Sequence, residues 1–588
     1  MIKINFENRF FISILFIFLF SYVILRSIFV EPLLDELGTL FSYIQTGNIL
    51  NDKANLDANN HILNSYVSHY FHLIFGNYLF VIRLFSVLSF PVFFFGLKKL
   101  IDANFNSYKT LIFISLLTIH WIFDYFSLSR GYSSSLAFFI FGLSLINNWN
   151  TNFKLITLIL ICLNFILSLL SNLSLIVPIL LIFCYLILTF LINFKNINFK
   201  HKIYVFFVIT LFFIGIYFIY EYINKLKESG ALWWGSKDGL WEVTGKSVSE
   251  TIFFTSNDII KYFLIALSLI MLYCFIVNAK KIKFKFFVQS SVFWLFSLFI
   301  LSILSIVFLV KVFDVNYPKD RVAMYLVILM ILSYANLVSS IKKLNFLLLL
   351  LLWFPISFVY NMNLNTTIFS PQDRINKDFF DKLSKKVRYE SLLSADYVAE
   401  LCYSYASRKS NVSKVLFLNN TDTLMEEDYH LQSLYSTKNI GESYTCVLED
   451  SITKMKLYRR NNFIKHTVLI DTLINGIESK DMYIPLLNLS VNENFNYKKL
   501  KISTESTLEN ETKDLSFTLI QEIKNSKNET EDYNNLKTDW YFGNKTNYAF
   551  NYSRLVSING NKNIIIYYYN PNLSVIKLDE TKIKISAY

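Results

Sequence analysis

Apolar residues form long blocks over the first 360 positions and short alternating groups thereafter. The blocks approach the roughly 20 residues a helix needs to cross a bilayer core. They predict spans at Arg9–Val30, Tyr78–Gly96, Lys109–Phe126, Tyr132–Trp149, Phe153–Leu170, Leu173–Phe194, Tyr204–Tyr222, Ile259–Val277, Phe287–Val312, Val322–Ser339 and Phe346–Tyr360, about eleven in all. After the first block the pattern changes. Leu37, Leu40, Phe41 and Ile44 recur at helical spacing behind Pro32, and a second amphipathic run covers Ile62 to Phe75. Beyond Tyr360, apolar residues alternate with Asn, Lys, Asp, Glu and Ser, predicting a charged helix over Ile375–Glu390 and strands at Lys414–Leu418, Met482–Leu489, Leu515–Ile520 and Asn563–Tyr569. The predicted fold is a polytopic α-helical membrane domain over residues 1–360, with amphipathic juxtamembrane helices in its first outer loop. A soluble mixed α/β domain over residues 361–588 follows.

Composition agrees with that class. A chain of 588 residues that is 54% hydrophobic, with mean hydropathy +0.39, is too apolar for an ordinary soluble protein. The net charge of +12 raises nucleic acid as a partner, but the lysines sit in short loops between apolar blocks, where the positive-inside rule puts them. With the N-terminus cytoplasmic, the loops on that side carry Lys98, Lys99 and Lys109, then Lys154, then Lys195, Lys200 and Lys202, then Lys280, Lys281, Lys283 and Lys285, then Lys342 and Lys343. The outer side receives the acidic first loop, the turn at Ser129–Tyr132, the loop from Ile223 to Asp258 and the turn at Tyr317–Arg321. An odd number of spans then exports everything after Tyr360. The first block lacks a small-residue cleavage site behind it and reads as an uncleaved anchor of a multi-pass plasma (inner) membrane protein.

Cysteines are few. Cys162, Cys184 and Cys274 fall in apolar blocks and read as small buried hydrophobes, while Cys402 and Cys446 fall in the exported domain, where an oxidising compartment would allow one bridge.

The candidate chemistry lies on the outer side. Asp35 and Glu36 stand in a loop next to lipid, where a partly desolvated carboxylate can act as general base toward a hydroxyl. Acids just behind Pro32 equally suit the first turn of a short helix, opposite its dipole. On the same side are Arg83, Arg130, Lys319 and Arg321, with Lys225, Lys227 and Lys237 in the large loop. An arginine fork bonds two phosphate oxygens at once, whereas any arginine at a span end can also snorkel to the interface. His61, Ser65, His69 and His72 would share one helix face, which is compatible with metal binding but better explained as a polar face. Trp233, Trp234 and Trp241, near Gly230, Gly235 and Gly239, mark either an interfacial belt or a loop able to close over a substrate.

These residues also carry a family resemblance. Leu34-Asp35-Glu36 after the first span, Asn60-His61-Ile62-Leu63 leading to Leu73-Ile74-Phe75-Gly76, and Ile82-Arg83-Leu84-Phe85-Ser86 resemble the opening of the bacterial membrane glycosyltransferases of the GT-C class, relatives of protein mannosyltransferases and of the aminoarabinose transferase of lipid A. Ser129-Arg130-Gly131-Tyr132 looks like the turn after their third span, and Tyr317 to Tyr325 resembles their late turn. The likeness covers most of the membrane half and none of the exported domain. It departs at His61-Ile62-Leu63, where many relatives have His-Pro-Pro, and in the late turn, where Asp320 precedes Arg321 and Val322 stands in place of a common Tyr.

The resemblance implies an inverting transferase that moves a hexosyl or pentosyl group from a polyprenyl-phosphate donor to a lipid, glycan or protein acceptor, with membrane lipid as its surroundings and no nucleic-acid partner. It implies Asp35 as the base with Glu36 its neighbour, and Arg321 as a phosphate ligand; Arg83, Arg130 and Lys237 from the cations on the same side, and His61, are the further candidates for substrate contact. No cofactor is required, since the phosphate is the leaving group; room for a divalent metal stays open. Two other classes remain: a transporter or flippase for lipid-linked sugars, and a membrane-anchored receptor acting through its exported domain. Transporters place ionisable groups near the midplane, whereas the predicted spans carry theirs mostly at the ends.

Overall fold

A computed structural model describes residues 9–51, 54–76, 78–409, 414–417, 419–420, 426–491, 499–509, 517–542, 547–558 and 560–587. Lys3, Leu418, Leu515 and Ser516 therefore lie outside the described residues. The chain divides into two compact units, one of residues 1–30 and 39–369, the other of Glu31–Gly38 together with Ser370–Tyr588.

The first unit is helical. Among the described residues, eight helices are long and apolar enough to cross a membrane: Arg9–Phe29, Leu79–Asn104, Leu173–Ile192, Phe199–Glu228, Asp258–Lys281, Ser291–Phe313, Asp320–Ser339 and Lys342–Tyr360. The protein is thus a multi-pass membrane protein. The count is eight rather than eleven, and the shortfall has local causes. The block at Lys109–Phe126 breaks into Lys109–Leu117 and His120–Ser127, bent by 57°, and makes a ninth span only if the pair is counted as one. No proline causes this bend. Thr118 turns its hydroxyl back onto the Ile114 carbonyl at 2.7 Å, a back-bond that bends helices, and Ile119 is extended. The predicted spans at Tyr132–Trp149 and Phe153–Leu170 yield helices of 14 residues (Gly131–Ser144) and 17 residues (Leu155–Ser171). At 1.5 Å per residue neither covers a ~30 Å core unaided.

Pro91 sits inside Leu79–Asn104 without ending it. The first-loop helices form where the pattern puts them, at Leu34–Thr39 running on through Leu40–Ile44, and at Ile62–Phe75. Leu40, Phe41, Tyr43 and Ile44 are buried, whereas Leu73, Ile74 and Phe75 are exposed, giving the second helix an apolar end free to meet lipid.

The first unit also holds charge inside its apolar blocks. Arg26 and Asp124, both with fully buried side chains, pair at 2.8 Å, and His120 Nε2 lies 3.3 Å from the same carboxylate oxygen. Arg26 further donates to the carbonyls of Asn363 (2.5 Å) and Thr366 (3.1 Å), and Asp124 Oδ2 accepts from the Ile368 amide at 3.1 Å. The chain leaving the last helix is thereby tied to the first and third blocks.

The second unit is β-rich, with flanking helices at Lys377–Lys386, Tyr397–Lys409 and Thr538–Phe542. Its described strands form three sheets. A mixed sheet runs Asn419–Asn420, Leu393–Ala395, Tyr429–Gln432, Lys456–Arg460, Tyr444–Glu449. An antiparallel sheet of Thr530–Lys537, Thr518–Asn525, Lys562–Tyr569 and Tyr483–Val491 faces a five-stranded mixed sheet of Lys414–Phe417, Asn547–Ser557, Lys499–Glu509, Ile576–Ala587 and Thr467–Ser479, in which only the first pair is parallel. Alternation in Lys562–Tyr569 buries Ile564, Ile566 and Tyr568 between them. Polar groups inside this core are paired: Tyr568 donates to Ser506 Oγ at 2.9 Å, and Arg554 bonds both Gln521 Oε1 (3.0 Å) and Asp532 Oδ1 (3.0 Å).

The cysteine expectations need correction. Cys402 and Cys446 are both free thiols, the first buried in the helix Tyr397–Lys409 and the second exposed on the strand Tyr444–Glu449. Cys162 and Cys274 are buried as expected, but Cys184 is exposed on its helix, on a surface that an apolar medium can cover.

Candidate functional site

Three segments far apart in sequence converge in the first unit. The turn Ser129–Tyr132 opens the buried helix Gly131–Ser144. Its Arg130, 1% exposed, reaches back to the first loop, where Nη1 donates to Thr39 Oγ1 at 3.0 Å and Nη2 to Asn59 Oδ1 at 2.8 Å. His61, just before the helix Ile62–Phe75, stands edge-on to the Tyr132 ring at 4.6 Å, and its Nδ1 lies 2.9 Å from the Ser171 carbonyl oxygen. Tyr132 in turn lines a cavity of about 10 Å³ with Asn172, Ser174, Arg321 and Tyr325, room for about one water. Thr39, Asn59 and His61, the arginine–glycine turn and the late turn thus share one polar locus within the first unit.

Gly131 makes the convergence possible. A Cβ there would lie 2.0 Å from the Ser171 carbonyl oxygen and 2.7 Å from His61 Cβ. The backbone oxygen cannot swing aside as a side chain could. Gly131→Ala is expected to destabilise the protein by about 1–3 kcal/mol or more, read as a lowered unfolding midpoint in detergent; an unchanged midpoint would mean the three segments are not tightly packed.

Arg321 sits in the short turn Asp320–Ala323, its guanidinium 4.8 Å from the Trp234 ring centre, with Lys319 above the same ring at 5.8 Å. The tryptophan loop is folded onto this turn. Ser236 bridges to Tyr317, Asn316 Nδ2 donates to the Trp233 carbonyl at 3.0 Å, and Gly235 at φ +109° lets the chains touch where a Cβ would meet the Tyr317 oxygen at 2.2 Å. Trp233 remains 65% exposed, so one ring packs on cations while its neighbour faces outward.

The other candidates are placed differently. Arg83 does not snorkel. It is fully buried and donates from Nη1 to the Ser27 and Val30 carbonyls at 3.1 and 2.7 Å, capping the end of the first helix. Lys237 pairs at the surface with Asp314 at 2.6 Å, and that hydrogen bond and charge hold the Asp314 carboxyl below its ordinary value. His69 Nδ1 lies 2.6 Å from the Ile44 carbonyl oxygen, fixing the two first-loop helices to each other. Among the described residues no group of three or more His, Cys, Asp or Glu is arranged to hold a metal ion.

The acidic pair belongs to the second unit. Glu36 is fully buried and its Oε2 accepts from the Leu33 amide at 3.1 Å, a reciprocal cap of the helix start. Asp35 is half-buried. The two acids therefore differ in role: Glu36 carries the helix-cap function first considered for both. Leu33 makes an antiparallel bridge with Arg374, so the segment bearing Asp35 is held by the start of the C-terminal region.

A second cavity, apolar and about 230 Å³, lies in the first unit between Ile252, Leu267, Met271, Met330, Trp353 and Phe354. Such a lining suits a hydrocarbon chain. Sequence reasoning missed Thr39, Tyr325 and this cavity; Asn59 lay in the polar run before His61, and only its partnership with Arg130 was invisible. Comparison with protein-family models, curated proteins and solved structures gives no match.

Proposed function

We propose that the protein is an inverting glycosyltransferase of the GT-C type, moving a sugar from a polyprenyl-phosphate donor to a hydroxyl acceptor on the outer face of the plasma membrane. The observation that carries this reading is the convergence of His61, Arg130, Tyr132 and Arg321 from three segments. In the mechanism Asp35 takes the proton of the acceptor hydroxyl while its oxygen attacks the anomeric carbon. The bond from that carbon to the phosphate oxygen breaks on the opposite side, and polyprenyl phosphate leaves with inversion. One base suffices, because no covalent intermediate is formed. The charge growing on the phosphate calls for a cation, and Arg321 is the first candidate, being only half-buried and held over Trp234. Arg130 supports the locus through Thr39 and Asn59. The apolar cavity near Met271 and Trp353 offers a place for isoprenoid carbons.

The test is transfer of a radiolabelled sugar from a defined polyprenyl-phosphate donor in vesicles holding the full chain. Arg321→Ala is expected to raise the donor KM about tenfold or more with the protein still inserted. Absence of transfer by the wild type across hexosyl and pentosyl donors overturns the reading. The buried Arg26–Asp124 pair favours one alternative, a flippase for lipid-linked sugars, because ionisable groups inside spans mark translocation paths. Movement of labelled donor between leaflets without transfer would select it.

The orientation is tested separately. Reporter fusions after Asn106 and after Thr367 are expected on opposite sides, the second outside, because the lysine-rich loops fix the cytoplasmic face. With both short helices taken as non-spanning, the odd parity rests on the bent pair Lys109–Leu117 and His120–Ser127 crossing as one span, which makes nine; the eight long helices alone would return the chain after Tyr360 to the cytoplasmic side. Two fusions on one side would reject the orientation.

A further inference from the structure

Asp35 is accompanied in the second unit by groups that no first-loop motif contains. The bridge from Leu33 to Arg374 brings the neighbouring Asp373 alongside the first-loop segment. The Tyr435 hydroxyl donates to Asp373 Oδ1. Tyr435 follows the strand Tyr429–Gln432 and is fixed from below: its amide donates to Ser433 Oγ at 3.3 Å, and Ser433 is held by Asp396 through its amide (2.6 Å) and hydroxyl (2.9 Å). Half of the residue nevertheless faces outward, at 52% exposure. Partial burial, the Asp373 hydrogen bond and the nearby Asp35 charge together raise the phenol above its ordinary range. A half-exposed aromatic ring, with its hydroxyl oriented by one carboxylate and a second carboxylate close by, presents a packing face and hydrogen-bonding groups together.

We infer that Tyr435 and Asp373 form an acceptor subsite beside Asp35, and that the acceptor is a sugar of a glycan chain. The inference rests on the transferase reading and extends it to the acceptor. A saccharide presents both surfaces this locus can use. Its C–H face packs on an aromatic ring, and its hydroxyls bond to a phenolic oxygen and a carboxylate. Because the phenol donates its one hydrogen bond to Asp373, its oxygen lone pairs remain acceptors for a sugar hydroxyl. A lipid acceptor would call for an apolar groove. In this arrangement Tyr435 and Asp373 bind and orient the acceptor, and Asp35 alone removes the proton.

The experiment uses the full chain in detergent and an array of neutral oligosaccharides, read by direct binding, with hydroxyl-bearing peptides and diacylglycerol as comparison probes. Binding of oligosaccharides is expected, and Tyr435→Ala is expected to weaken it about tenfold. Tyr435→Phe keeps the ring and is expected to retain most of the affinity, which separates a binding face from a merely structural tyrosine. Asp373→Asn is expected to fall between the two. Asp35→Asn is expected to bind the same oligosaccharides as wild type while losing transfer. Failure of every oligosaccharide to bind, or equal binding by wild type and a folded Tyr435→Ala, overturns the subsite. Full transfer by Asp35→Asn overturns the assigned base instead, whatever the array shows.

Discussion

Asp35→Asn is expected to lower sugar transfer by on the order of a hundredfold or more, the usual worth of a positioned general base, with insertion and folding intact. The substitution keeps the side-chain shape and removes the only charge, so it tests basicity rather than packing. Glu36 is the essential control. Its carboxylate is fully buried and closes the helix start through the Leu33 amide, so Glu36→Gln is expected to cost stability of about 1 kcal/mol and little transfer. The measurement is initial rate against donor concentration, alongside the unfolding midpoint of each variant. A dead Glu36→Gln beside an active Asp35→Asn would exchange their roles. Two active variants would end the mechanism.

The second large effect is on stability. Asp124→Leu is expected to destabilise the membrane unit by about 3–5 kcal/mol, the cost of stranding a buried charge. Arg26 would then keep its bonds to the Asn363 and Thr366 carbonyls but lose its counter-ion. The double variant Arg26→Met/Asp124→Leu is expected to recover much of that loss, because neither charge is left buried alone. Denaturation in detergent, monitored by tryptophan fluorescence, reads both. If the single variant is as stable as wild type, the pair contributes nothing. If the double variant is no better than the single, the carbonyl bonds from Arg26 matter more than the ion pair.

The sequence reveals some of this plainly and some of it not at all. Helical spacing at Leu37, Leu40, Phe41 and Ile44, and over Ile62–Phe75, is a local property and appears where predicted. The strands at Lys414–Phe417, Tyr483–Val491 and Lys562–Tyr569 follow their alternation in the same way. Span length is less local. The apolar run at Lys109–Phe126 is long enough to cross, yet it breaks at Thr118 and the extended Ile119 with neither proline nor glycine there, which the hydropathy pattern does not encode. Arg26 and Asp124 are not singled out from the sequence, where charge reads as lying mostly at span ends, and only packing shows that they pair. In the candidate site, Arg130 and Tyr132 stand together in one short turn and His61 in the polar run of the first loop, and only packing shows that the two meet. The difference between Asp35 and Glu36 was not legible, since adjacent acids on one helix turn are told apart only by which one points at the Leu33 amide.

The pairing of Leu33 with Arg374 sets a clock on biogenesis. Leu33 leaves the ribosome long before its partner exists, and at about 5–20 residues per second the wait is on the order of half a minute. During that interval the Leu34–Thr39 segment lacks the strand partner that fixes its start. A chain cut short before Ser370 would insert its helices and still never seat Asp35. On the transferase proposed above, truncated or stalled products are expected to show no transfer.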